Sequence, residues 1–286
     1  MKRTWLTRAG LIVGGIFALV GIAFTAVFVG MQFGAFNVRG SIAERNAFFT
    51  GGKKVDAVVT PTQPCVDVSK TTCNWNETPE WKVVEGGLTK DAPVIERVAG
   101  ETGVSARMIA AVVVPEQIRF FTAEREVFKR YFEPLKILGS LSQFSLGVSG
   151  IKQDTAVQIE QYANDPTSPF YPGDGYAALI AYAPGVDHDK ELYNRLTDSK
   201  NHYYSYLYTA LAIKEVEAQW EHAGFPIDDK PEVVATLFNI GFEASSPKAN
   251  PQTAGASIST GGTGYPFGQL GADFYNSSEL RDILPL

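Results

Sequence analysis

The sequence predicts a mainly α-helical domain carried beyond a single membrane-spanning helix, and three observations predict it. Ala9 to Met31 is a run of 23 residues without a charge. From Asp91 onward, apolar residues recur at helical spacing between Gly and Pro stops. Between these two regions lies a stretch rich in Pro, Gly and Thr, which reads as loop.

The first run accounts for the amino-terminal organisation. At ~1.5 Å rise per residue it covers the ~30 Å hydrocarbon core of a bilayer. The apolar part of a cleaved secretory signal is only about 7–15 residues long and ends in a small-x-small site. The sequence around Gly30 to Val38 offers no such site, so the run reads as an uncleaved signal anchor. Lys2, Arg3 and Arg8 precede it, which places residues 1–8 in the cytoplasm and everything after about Gln32 outside. Of the 25 basic residues those three lie before the span, leaving 22 against 31 acidic ones. A domain this acidic lacks the clustered Lys and Arg that phosphate contacts need, so nucleic acid is excluded as a partner.

Residues 32–90 read as a membrane-proximal stalk, with turn signals at residues 51–54, 61–64 and 86–87 and short strands at Val55–Thr60 and Trp81–Val84. Cys65 and Cys73 are either a local disulfide or two free thiols. An extracytoplasmic setting favours the disulfide. With no His nearby they do not make a metal site.

Residues 91–286 read as the folded domain. Asp91 is placed to cap a helix with Pro93 near its start, ended by Glu101-Thr-Gly103. Ser105 caps a second helix through Arg107 to Val114, apolar almost all round and therefore buried. Further helices fit Thr122–Phe132, Ser199–His222 with Gly224 as terminator, and Asp229–Asn239 with Gly241 at the end. Gln252–Gly264 reads as loop, and Phe267–Leu280 as a last short helix.

Glu116 is the most informative position. It follows the apolar helix in the run Ala110-Ala-Val-Val-Val-Pro-Glu-Gln117. A carboxyl in such surroundings is costly to bury as an anion, and desolvation favours its protonated form. A protonated carboxyl in an apolar cleft suits glycosidic bond cleavage, where the leaving oxygen needs a proton. The alternative is a Glu leaving a helix end, solvated or paired with Arg119.

Three segments in chain order extend this reading: Glu101 to Val112 leading into Glu116, Ser145-Leu-Gly-Val-Ser-Gly-Ile-Lys-Gln-Asp-Thr-Ala156, and Ala235-Thr-Leu-Phe-Asn-Ile-Gly-Phe242. Together they resemble the lysozyme-like lytic transglycosylases and goose-type lysozymes over about Asp91 to Gly241. The resemblance implies a mainly α lysozyme-like fold that needs no cofactor and no metal. It implies Glu116 as general acid and base, with Ser145, Gly147, Ser149, Ile151, Gln153, Asn239 and Gly241 lining the substrate cleft. It also implies peptidoglycan glycan strands as substrate, at a bacterial cytoplasmic membrane. In that family the muramic 6-hydroxyl attacks and leaves a 1,6-anhydro end. The chain departs from the pattern where the family often has Ser (here Gln117), Gln (here Gly150) and Tyr (here Phe238), and Pro115 interrupts the helix before the acid. A glycan-binding or scaffold protein that does not cut is therefore the second reading. No motif supplies a second carboxylate; Glu124, Glu126 and Asp154 stand as candidates.

Among the aromatic residues of His202 to Tyr208, helical spacing puts Tyr203 and Tyr206 on one face, suited to core packing or to stacking on sugar rings, with Tyr203 the candidate glycan contact. Ser149-Gly-Ile-Lys152 and Ser199-Lys-Asn201 fit short patterns of penicillin-interacting serine enzymes, but no Lys-Thr-Gly follows. His188, His202 and His222 have no metal-ligand spacing.

Overall fold

A computed structural model describes residues 64–122 and 145–286, together with two isolated helical positions, Gly15 and Ile22. The chain divides into two compact units, Met1–Arg39 and Gly40–Leu286, and every element named below belongs to the second. The span expected at Ala9–Met31, and the helix expected from Thr122 to Phe132 beyond Thr122 itself, lie outside the described residues. Among the described residues no helix is long and apolar enough to cross a membrane.

The described fold is mainly α. Its helices are α1 (Pro79–Thr102), α2 (Ala106–Thr122), α3 (Gln153–Ala163), α4 (Tyr176–Leu179), α5 (His188–Thr197), α6 (Tyr203–His222), α7 (Pro231–Ile240) and α8 (Phe267–Asn276). Two antiparallel hairpins accompany them. One pairs β1 (Ser145–Leu146) with β2 (Ile151–Lys152), and the other pairs β3 (Ser257–Thr260) with β4 (Thr263–Pro266).

α2 is the central helix. It packs against α1, α6, α7, α8 and β3, and it is buried without a break from Ala106 to Ile118. That matches its composition, since a helix apolar all round needs neighbours on every side. Ser105 starts it by accepting from the Met108 amide at 3.1 Å. Pro115 does not end it, and the helix runs on to Thr122 with the proline inside. The proline leaves the Ala111 carbonyl without its i+4 donor. At that carbonyl α8 comes in close: a Cβ on Gly271 would lie 2.7 Å from the Ala111 oxygen. Gly268, one turn earlier, meets the Glu232 carbonyl of α7 in the same way, at 2.5 Å. α8 is thus set into α2 and α7 through its glycines.

Three expectations are corrected. The first long helix starts at Pro79, not Asp91, so the Trp81–Val84 segment is helix rather than strand. Thr78 is its cap, accepting from the Trp81 amide at 3.2 Å, and Pro79 occupies the first turn, where a missing N–H costs nothing. Residues 64–90 therefore belong to the folded domain rather than to a stalk. Trp75 and Trp81 are buried, and their rings meet each other at 4.9 Å and Phe274 of α8 at 6.3 and 5.8 Å. Asp91 is not a cap. It is buried in the middle of α1, 2.6 Å from Nδ1 of His202 and 2.9 Å from the Tyr206 hydroxyl, and it fastens α1 to α6. Finally, Gln252–Gly264 is not all loop, because β3, the turn after it and the first half of β4 lie in it.

Cys65 and Cys73 form a disulfide. The loop it closes receives the tip of the β3–β4 hairpin, where the Cys73 amide donates to the Gly261 carbonyl at 2.9 Å. Gly261 has φ +59, and a Cβ there would strike the Cys73 carbonyl.

The carboxyl-terminal segment is held by one side chain. Arg107 of α2 is fully buried and donates to five backbone carbonyls, those of Phe274, Tyr275, Ser277, Glu279 and Leu284, at 2.6–3.2 Å. Phe274 and Tyr275 supply carbonyls from the end of α8, which have no partner within the helix. A cation also suits the negative end of the helix dipole. Burial pulls the Arg107 guanidinium below its usual range, without displacing it from the charged form. Replacing Arg107 by Met takes a buried donor from all five carbonyls. It is expected to cost about 3 kcal/mol or more, read as a shift of the urea unfolding midpoint. Arg107→Lys recovers only part, because one ammonium cannot reach five acceptors. A loss below about 1 kcal/mol for the Met variant would show that α8 is held by other means.

Candidate active site

Glu116 lies well inside α2, on its last two turns, with its side chain 3% exposed. Its carboxyl rests against the turn between β1 and β2. This turn, Gly147 to Gly150, is built by two glycines at φ +64 and +67. A Cβ on Gly150 would lie 2.1 Å from Oε1 of Glu116, so glycine is required there both by the backbone and by the carboxyl. A Cβ on Gly147 would strike the Ser205 hydroxyl and the Leu196 carbonyl. The turn is clamped from both sides. Gln117 of α2 donates its side-chain amide to the Val148 carbonyl, and Ser149 donates its hydroxyl to the Ser205 carbonyl of α6 at 3.0 Å.

Glu116 borders a groove of about 620 Å³. Among the described residues, Arg119 lies beside it on α2, and the run from Gly150 to Thr155 with Gln158 forms one side. Ala212 and Val216 of α6 and Leu237 of α7 form the floor. Phe238 to Glu243, with Ala256, forms the other side. Asn239 is fixed in place, its Oδ1 accepting from the Ala256 amide at 2.8 Å. Arg119 pairs with Oε1 of Glu116 through its guanidinium.

Of the residues expected in the cleft, the structure brings Glu116, Ile151, Asn239 and Gly241 to the groove. Gly147 and Ser149 support the turn from behind instead. Ser145 pairs with Lys152 across the hairpin, and Gln153 opens α3 without lining the groove. Tyr203 lies elsewhere. Its hydroxyl donates to Glu101 at 2.6 Å and its ring carries the Arg97 guanidinium at 4.4 Å, on the outer junction of α1 and α6. Burial and the bond to Glu101 push its phenol up to about 12. The Ser149 hydroxyl is buried and engaged with a carbonyl, an arrangement that does not serve a serine nucleophile activated by Lys152.

Sequence reasoning missed Lys152, Thr155, Gln158 and Glu243 as lining residues. Thr155 and Gln158 carry a usable signal, as the polar stripe of an amphipathic helix that follows a Gly-rich turn, and Lys152 directly precedes that helix. Glu243 has none, because it sits on a short 3-10 turn, Phe242–Ala244, after the helix stop. Among the described residues no group of three His, Cys, Asp or Glu is placed to hold a metal ion.

α6, which supplies Ala212 and Val216 to the groove, also carries a buried carboxyl. Glu215 of α6 is fully buried, and neither of its oxygens has a hydrogen-bond partner among the described residues. Desolvation pushes it well above the usual carboxyl range. The Tyr162 phenol is raised too, first by burial and then by the Glu215 and Glu243 carboxylates. No known protein family, characterised protein or solved structure matches this chain.

Two predictions follow from these packing relations. Gly150→Ala forces a side chain into the left-handed region, at about 1–2 kcal/mol, and drives the new methyl into the Glu116 carboxyl. Thermal unfolding should register that loss, while Gly86→Ala, where a Cβ meets nothing within 4 Å, should not destabilise. Glu215 gives a pH dependence of definite sign. Its folded-state value lies above the unfolded one of about 4.3, so the native state holds the extra proton. Stability from this group is complete below the unfolded value and declines as pH rises toward the folded one. Urea midpoints measured from pH 5 to 8 should fall less steeply in Glu215→Gln than in the parent. Equal slopes would mean that Glu215 is ionised in the native protein.

Proposed function

We propose that this protein cleaves the glycan strands of peptidoglycan at the MurNAc–GlcNAc glycosidic bond, with Glu116 as the proton donor. It would do so as a membrane-anchored enzyme of the lytic transglycosylase kind. The observation that carries the reading is the position of one carboxyl: only 3% exposed, pressed against a two-glycine turn, and bordering a groove. General acid catalysis needs a carboxyl that is largely withdrawn from water yet touches the space the substrate fills. The groove suits a saccharide. Phe238, Ile240 and Phe242 offer apolar surface to the faces of sugar rings, and Asn239, Gln158 and Thr155 offer hydrogen-bonding groups to their hydroxyls.

In this mechanism Glu116 protonates the leaving oxygen as the glycosidic bond breaks. In the transglycosylase route the muramic 6-hydroxyl then bonds to the anomeric carbon, and Glu116 takes back that hydroxyl's proton. An ion pair with Arg119 requires the carboxylate, whereas donation requires the acid. The reaction therefore requires the pair to open when a strand occupies the groove, with Arg119 turning to the substrate's own oxygens.

The same pair favours the second reading, a groove that binds glycan or serves as a scaffold without cutting it. If Arg119 holds Glu116 with a strand bound, the carboxyl never carries the proton to be donated. Incubation with purified peptidoglycan separates the two. The enzyme reading expects new muropeptides from the parent protein and a loss of about 10²-fold or more in Glu116→Gln, with binding to sacculi retained. Intact glycan after incubation with folded, sacculus-bound parent protein would establish the binding module instead.

A further inference from the structure

We propose that His188 is a proton-operated latch: the protonated ring fastens the start of α5, and the strap of residues 181–187 before it, to Glu160 of α3, and loss of the proton loosens α3, one wall of the groove. The proposal stands whether or not the groove cuts glycan.

The latch is a cluster of titratable side chains on the face of α3 turned away from the groove. Glu160 lies two residues beyond Gln158, about 200° further round the helix, so one helix presents Gln158 to the groove and Glu160 to the cluster. Three donors converge on the Glu160 carboxyl. The Tyr182 hydroxyl of the strap donates to Oε1 at 2.5 Å, the Tyr208 hydroxyl of α6 donates to the same oxygen, and Nε2 of His188 meets Oε2 at 2.6 Å. One carboxyl therefore joins α3, α6, the strap and the first residue of α5.

The two ends of the strap are held differently. At its start, Arg195 donates to the carbonyls of Ile180 and Ala181, both at 2.8 Å, and its guanidinium lies over the Tyr182 and Tyr204 rings at 3.9 and 4.4 Å. A guanidinium keeps its charge at any pH the fold survives, so this end is a fixed hinge. Burial pushes the Tyr182 and Tyr208 phenols up, so they keep their protons as well. The other end is His188, which is 43% exposed and carries the one kind of side chain that ordinarily titrates near neutrality.

Both ring nitrogens of His188 face carboxyls, Nε2 that of Glu160 and Nδ1 that of Asp189 at 3.1 Å. A neutral imidazole has one N–H and one lone pair, and only the protonated ring donates to both. The groups around it are Glu160 from α3, the Tyr182 ring of the strap at 4.7 Å, Tyr208 of α6 behind Glu160, and Asp189 of α5, with Arg195 on the Tyr182 ring. The positive end of the α5 dipole opposes a cation at this position. Against it, the bonds to Asp189 and Glu160 hold His188 above its ordinary range, despite partial burial. Asp189 is 81% exposed, so water screens its share, and Glu160 is the partner that fixes the ring. With the folded value raised, the latch is fully closed below the unfolded value of about 6.5 and is lost as pH rises through the folded one.

The experiment uses the full 286-residue chain in detergent micelles. Histidine Cε1 signals are followed by NMR between about pH 5.5 and 8.5, with His188 assigned by its loss in His188→Asn. Amide exchange is followed over the same range and corrected for the intrinsic rate. His188 is expected to titrate above about 6.5, and Glu160→Gln to lower its proton affinity about two- to fivefold. Protection of α3, taken relative to α7 on the opposite wall, is expected to fall about two- to fivefold as His188 loses its proton. That fall is absent from His188→Asn and Glu160→Gln. A His188 that titrates at or below the ordinary value, or an α3 protection that follows pH in His188→Asn as in the parent, overturns the latch. Should Glu160→Gln fail to fold, His188→Asn, at an exposed position, decides alone.

Discussion

The burial of one apolar helix governs the rest of this structure. α2 is surrounded by four helices and a strand, and buried from Ala106 to Ile118. A charge on such a helix is tolerated only where a neighbour meets it. Two charges on it are buried, Arg107 and Glu116. They stand nine residues apart, which at 100° per residue puts them on opposite faces and about 13 Å apart along the axis. Arg107 points to the end of α8 and collects the carbonyls of the carboxyl-terminal segment. Glu116 points to the β1–β2 turn and the groove. One helix therefore both closes the fold and presents the candidate acid, and the second role depends on the first holding the helix in place.

The groove's far side is positioned through the same helix. Pro115 removes a donor from the Ala111 carbonyl, and the bare backbone of Gly271 lies against that oxygen. This lets α8 approach α2 closely, and Gly268 does the same toward α7. α7 in turn delivers Phe238, Asn239 and Gly241 to the groove, and Thr236 and Asn239 tie down the loop before β3 through the Ala254 and Ala256 amides. A proline one residue before Glu116 that reads in the sequence as a break is in the structure the point at which the opposing wall is seated.

What could be read from the sequence follows from how local each signal is. The buried helix around Ala110, the stop at Gly103 and the helix from Pro231 to Gly241 rest on periodicity and on glycine conformations, which act within a few residues. The start of α1 was obscured because Gly86, Gly87 and Pro93 all read as breakers. Their cost is met by tertiary contacts: Gly87 and Leu88 are buried, and Asp91 is bound to His202 and Tyr206 more than a hundred residues away. The same long-range pairing misdirects a reading of Tyr203. Helical spacing puts Tyr203 and Tyr206 on one face, yet only the positions of Glu101 and Arg97 show that Tyr203 faces away from the groove. The polar residues on the groove's sides, Asp154 and Glu243 among them, could not be assembled from spacing, because they come from two elements joined only by the fold.

The two residues nearest the candidate acid are physically linked. Gln117 follows the acid on α2, and Gly150 stands in the turn facing it. In the structure the amide on α2 reaches across to the turn and donates to the Val148 carbonyl, so the helix and the turn remain tied. With the tie made from the helix side, position 150 needs no side chain, and the space is taken by the Glu116 carboxyl itself. Replacing either residue alone fails on sterics or on hydrogen bonding. A side chain at 150 meets the carboxyl, and a short side chain at 117 leaves the Val148 carbonyl, in a buried turn, without the donor it now has. Gln117 and Gly150 therefore act together: one ties the turn to α2, and the other leaves room for the buried carboxyl.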